Sequence, residues 1–179
     1  MLRELLQKIT DDGDPASHPK VIAELAIEQP HTIKCLTGPA DKIEKFTCVM
    51  HALGIEFNSE YIDLVERLPS VIYASTNFVH FLLQKRELIE RSIAPNLLII
   101  YFDGDPVKHI GRMATAERVR SKWGIGHLYE HAIWEVPQRY GDNVRFYSPM
   151  APAFSIAQFI EYARASGFGH FVNSRSETR

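Results

Sequence analysis

The chain has 179 residues, 45% of them hydrophobic and 23% charged, with a formal net charge of −2. That is the composition of a soluble globular protein, most economically one domain with a proper hydrophobic core. Lysines and arginines are scattered rather than gathered into a stripe, so nucleic-acid binding is not expected, and no apolar run approaches the length needed to cross a bilayer.

Leu2 to Ile9 reads as a short amphipathic helix, stopped by the breaker cluster Asp11-Asp12-Gly13-Asp14-Pro15. The N-terminus mixes both charge signs and lacks the apolar centre and cleavage site of a secretory signal. This favours the cytoplasm and leaves a specialised export route open. Pro19 to Ile27 suggests a second helix, and Thr32 to Leu36 a brief strand before Gly38-Pro39. Asp41 to Lys45 is a charged approach to a helix over Thr47 to Leu53, closed by Gly54, with Thr47 as N-cap. Tyr61 to Leu68 and Asn77 to Ile93 have the apolar spacing of further helices.

After Pro95 the texture becomes β-rich. Strands are expected at Leu97–Phe102, Val107–Met113, Arg118–Trp123 and Val144–Tyr147. Ser155 to Ala165 forms a closing helix, and Asn173 to Arg179 a polar tail. Helices, then an antiparallel sheet, then a helix make an α+β pattern.

The two cysteines, Cys35 and Cys48, are expected as free thiols, and Cys35 as structural. His127 and His131 have metal-like i, i+4 spacing but no third ligand nearby, so neither metal nor cofactor is expected. Cys48 stands in the first turn of its helix, where unpaired N–H groups and the helix dipole favour thiolate. His109, on a later strand, is the candidate acceptor for its proton. The bland reading of Cys48 is a small core hydrophobe, and of His109 a satisfied strand histidine. His51 reads as packing, and His80 as helix surface or core edge. Trp123, Trp134 and Tyr140 read first as packing aromatics.

The order helix-borne Cys48, then strand-borne His109, resembles papain-like hydrolases. "NLLIIYFDGDPVKHIGRM" is similar to the strand–turn–strand of NlpC-type peptidoglycan hydrolases and CHAP amidases, with His109-Ile110-Gly111 matching the segment that begins with the catalytic histidine. The resemblance spans roughly Phe46 to Tyr147. It implies one papain-like domain: an N-terminal helical extension over 1–45, an NlpC-like core over 46–147, and a C-terminal helix with its tail over 148–179. It further implies Cys48 as nucleophile and His109 as general base. Ser121 falls where the family carries its third polar residue; Glu130 and His131 are alternatives if Gly124 and Gly126 fold that segment back. Lys122 is a candidate for an anionic substrate group, or a solvated residue on a strand edge, and Trp123 a candidate substrate contact. The expected activity is hydrolysis of an amide in a small peptide-like or peptidoglycan-like substrate. The competing expectation is an inactive binding or scaffold module of the same fold, with partnership in a toxin or defence system as a third reading.

Overall fold

The apolar runs in the second half of the chain pair into one antiparallel sheet, and amphipathic helices cover it on both sides. The computed structural model describes residues 1–37, 47–124 and 126–172. The charged approach expected at Asp41 to Lys45 and the polar tail from Asn173 lie outside the described residues. The strands are β1 (Lys34–Cys35), β2 (Glu90–Arg91), β3 (Leu98–Phe102), β4 (Val107–Met113), β5 (Arg118–Lys122), β6 (Leu128–Ala132) and β7 (Asn143–Tyr147). They stand in the order β1-β6-β5-β4-β3-β7-β2, as an open seven-stranded sheet. The helices are α1 (Leu2–Asp12), α2 (His18–Leu25), α3 (Cys48–Leu53), α4 (Ser59–Arg67), α5 (Thr76–Gln84), α6 (Pro152–Ala163) and α7 (Gly169–Val172). The architecture is therefore α+β. Among the described residues, no helix is long and apolar enough to cross a membrane.

Each face of the sheet has its own core. On the first, Ile100, Phe102, Val107 and Ile110 pack against α3, α4, α5 and α6 through Val49, Leu53, Leu64, Phe78 and Phe159. On the second, Ile99, Tyr101, Met113 and Val119 pack against Leu6 of α1, Ile22 of α2, Trp123 and Tyr140. Lying between β4 and β7, β3 is buried at all five positions, as a strand covered on both faces must be. Close approach of chain to chain depends on Gly141: it has φ 95°, and a Cβ there would stand 2.0 Å from the Phe102 carbonyl oxygen. Any side chain would drive the segment between Tyr140 and β7 off the sheet.

Several elements differ from expectation, for identifiable reasons. The helix expected over Asn77 to Ile93 ends at Gln84. Arg86 adopts a left-handed φ of 59°, and the Glu87 N–H returns to the Leu82 carbonyl at 3.0 Å, which closes the helix as a left-handed C-terminal turn does. Leu88 then drops into the first core and Glu90–Arg91 becomes an edge strand on β7. Sequence pattern missed β6, because Tyr129 and His131 point inward from a run that reads as polar. Cys35, expected to be structural, is an exposed free thiol on the edge strand.

Candidate active site

Thr47 starts α3 by accepting the Met50 N–H at 3.2 Å and donating its hydroxyl to the Ala74 carbonyl at 2.7 Å. Gly54 ends the helix in the left-handed conformation, φ 67°. Between these stops, Val49, Ala52 and Leu53 anchor the helix in the first core, leaving Cys48 as its first residue, partly exposed. Registered pairing between β4 and β5 comprises Arg112 with Arg120 and Met113 with Val119. The next N–H toward β5 along β4 is that of Ile110, and its nearness acts to lower the Cys48 pKa. Strand N–H groups lie in the plane of the sheet. The Cys48 thiol therefore lies close to the seam between β4 and β5, beyond their last registered pair.

The seam is electrically unusual. Lys122, expected on a solvated strand edge, is fully buried. Alternation along β5 sends Ser121 to the second face and Lys122 to the first, beneath α3. Its ammonium donates to the Gly124 carbonyl at 2.7 Å. Burial pulls its pKa down to about 8, opposed by the neighbouring Cys48 sulfur. Burial likewise pushes the Cys48 thiol up, against the Ile110 N–H, the Lys122 charge and the N–H groups of Val49 and Cys48. At neutral pH the two groups rest as thiol and ammonium.

His109 immediately precedes Ile110, and its ring leaves β4 on the second face. Tyr101, its cross-strand partner, lies on that face too. The imidazole stacks on Tyr140 with ring centroids 3.9 Å apart and planes 9° from parallel. Its Nε2 is buried without a hydrogen-bond partner among the described residues. Burial, reinforced by His131, holds its pKa well below the usual histidine value, so the ring is neutral. The Tyr140 hydroxyl is also enclosed without a partner of good geometry. Burial and the nearby Cys48 sulfur raise its pKa, while Arg139 and the Gly124 N–H act in the opposite direction. Tyr140 thus adjoins both the histidine ring and the seam. Sequence reading placed it only among packing aromatics; its signal was the following glycine, Gly141, which holds the turn against β3.

Ser121, expected beside His109, meets His131 instead, Oγ to Nε2 at 2.8 Å. His131 Nδ1 lies 2.8 Å from the Ala132 carbonyl, which can only accept, so Nδ1 carries the proton and Ser121 donates to Nε2. Ser121 in turn accepts the Trp123 indole N–H at 3.1 Å. This trio is sealed from solvent and its donors and acceptors are matched. Gly111 makes room for it, since a Cβ there would come within 2.9 Å of Ser121 Cβ. Burial lowers the His131 pKa to about 4. Glu130 points away from His131 and holds Arg120 at 2.9 Å on the first face. Trp123 is 2% exposed and packs on Tyr129, with centroids 4.5 Å apart. His127, the other half of the metal-like pair, contacts Thr37 at 3.0 Å. Among the described residues no cluster of three or more histidine, cysteine, aspartate or glutamate side chains could hold a metal ion.

The chemistry available here is that of a thiol beside a buried amine, with a neutral imidazole and a phenol on the far side of one strand. The chain shows no significant match to any protein-family model, any curated protein or any solved structure.

Proposed function

We propose that this chain is a cysteine hydrolase of amide bonds with a papain-like, NlpC-type arrangement, in which Cys48 is the nucleophile and His109 the general base. The observation that supports this reading is a helix-start thiol close to the Ile110 N–H and the buried Lys122 ammonium at the end of the β4–β5 pairing. Buried groups left unsatisfied are costly in a merely structural core. Among the described residues His109 Nε2 is such a group, and its ring stacks on Tyr140. Perturbed titratable groups cluster in this way where chemistry is done.

In the proposed reaction the Cys48 thiol gives its proton to neutral His109, a transfer that has to cross from the first face to the second at the end of the β4–β5 pairing, as sulfur attacks the amide carbonyl. The resulting imidazolium protonates the leaving amine, and water hydrolyses the thioester. Lys122 and the α3 N–H groups stabilise the negative charge that develops on sulfur and oxygen. Ser121 has no part in this scheme, because His131 and Trp123 occupy it. Two observations favour the alternative, an inactive module of the same fold: the His109 ring leaves β4 on the second face whereas α3 brings Cys48 to the first, and burial raises the thiol pKa.

Alkylation by iodoacetamide separates the two, performed in a Cys35→Ser background because Cys35 is exposed. The hydrolase reading expects Cys48 to be alkylated at neutral pH and slowed by His109→Asn. It also expects turnover of chromogenic peptide amides that Cys48→Ala abolishes. A Cys48 that stays inert in the folded protein, with no amide turnover, establishes the inactive module.

A further inference from the structure

We propose that Arg112 and Arg120 form an oxyanion-binding subsite on the first face of the sheet, beside Cys48. The two are direct cross-strand partners, which puts their Cβ atoms about 5 Å apart on one face. They belong to a row of successive partners across the sheet: Leu98, Arg112, Arg120, Glu130 and Lys34. Like charges placed opposite one another weaken a sheet, so the arginine pair calls for an anion. Glu130 supplies one only on the far side. It accepts from Arg120 Nε at 2.9 Å and also lies 3.8 Å from Arg118 Nε. Among the described residues Arg112 has no corresponding acceptor, and its Nε is enclosed without a hydrogen-bond partner there. A guanidinium donor withdrawn from water and left unmatched is expensive. Its fork of N–H groups is shaped for a carboxylate or phosphate.

Position gives the subsite its meaning. Regular pairing of β3 with β4 from Leu98–Arg112 to Tyr101–His109 keeps Ile110 and Arg112 on the same face. Arg112 and Arg120 therefore stand two residues along their strands from Ile110 and Lys122, about 7 Å at the strand rise. An amide whose carbonyl reaches the Cys48 sulfur would set a carboxylate roughly two residues away against the arginine pair. That link to a substrate rests on the hydrolase reading, whereas the anion site itself does not.

The test titrates the full chain with sodium phosphate, and separately with sodium acetate, at constant ionic strength. It follows the Nε–Hε resonances of Arg112 and Arg120 by nitrogen-15 NMR, assigned with Arg112→Gln and Arg120→Gln. Expected are saturable shifts of these two side chains, lost in either variant and retained in Cys48→Ala. Saturation by acetate as well as phosphate identifies a general oxyanion site; saturation by phosphate alone identifies phosphate as the ligand group. A linear drift shared with other arginines overturns the subsite. A second readout, in the Cys35→Ser background, is the Cys48 alkylation rate by iodoacetate relative to neutral iodoacetamide. That ratio falls severalfold in Arg112→Gln and in Arg120→Gln if the pair attracts anions toward the thiol, and an unchanged ratio counts against it. Anion binding without amide turnover sinks the hydrolase reading alone. Cys48-dependent turnover without anion binding sinks the subsite alone.

Discussion

The two faces of the sheet are buried by different means. The first is covered by α3, α4, α5 and α6 and closed mainly by apolar side chains, with aromatic edges such as Phe159 against Tyr61 and Phe78. The second encloses His109, Ser121, Trp123, His131 and Tyr140, and so must match donors with acceptors as well as exclude water. It succeeds at Ser121 and His131 and, among the described residues, leaves His109 Nε2 unmatched. The first face therefore owes its stability to area, and the second to geometry. Cys48 and Lys122 stand where the two regimes meet.

Removing area from the first face should have the largest effect. Phe159→Ala empties a fully buried site and is expected to cost about 4 kcal/mol, read as a lower urea midpoint with an unchanged slope. A loss under about 1 kcal/mol would mean that this face is not packed as described.

Acid attacks the second face. His131 has a folded pKa near 4 against an ordinary value of 6.5. Its folded value is depressed, so the associated stability is present above pH 6.5 and is lost as pH falls through 4. The loss amounts to roughly 3 kcal/mol, and His109, lowered in the same direction, adds to it. Unfolding free energies measured from pH 7 to pH 4 should fall accordingly, and the fall should shrink in His131→Phe.

Lys122 carries the opposite lesson. Its pKa falls from 10.5 to about 8, so the ammonium burdens the folded state below pH 8 and the burden lifts as pH rises from 8 toward 10.5. Lys122→Met should stabilise the protein at pH 7 by about 2 kcal/mol, remove that alkaline rise, and slow Cys48 alkylation. A destabilised variant would show instead that the lysine is a structural tie through Gly124.

Ser121→Ala probes matching directly, because it strands both His131 Nε2 and the Trp123 N–H. The expected cost is about 2 kcal/mol, with little change in Cys48 reactivity. The smallest effect belongs to the Arg120–Glu130 pair, whose arginine side chain is 54% exposed. Glu130→Gln should cost about 0.5 kcal/mol in thermal unfolding.

Much of this fold is legible in the sequence. Thr47 and Gly54 bracket the cysteine helix as their cap chemistry requires, and the apolar run through Leu98 to Phe102 reads correctly as a strand. Cap and period are local properties, settled by a few neighbouring residues. The extent of α5 was not legible, because the chain turns out of the helix at Arg86 and carries Leu88 into a core built from distant segments.

The sequence by itself determined the α+β order, the thiol at a helix start and the histidine on a strand. Only the tertiary structure decided that Lys122 is buried beside Cys48, that Ser121 serves His131, and that His109 lies against Tyr140. Each of those depends on strand register, and register sets which face every alternate side chain occupies. Register is settled by the sheet as a whole, through the pairing of strands far apart in the chain, so no local stretch of residues carries it.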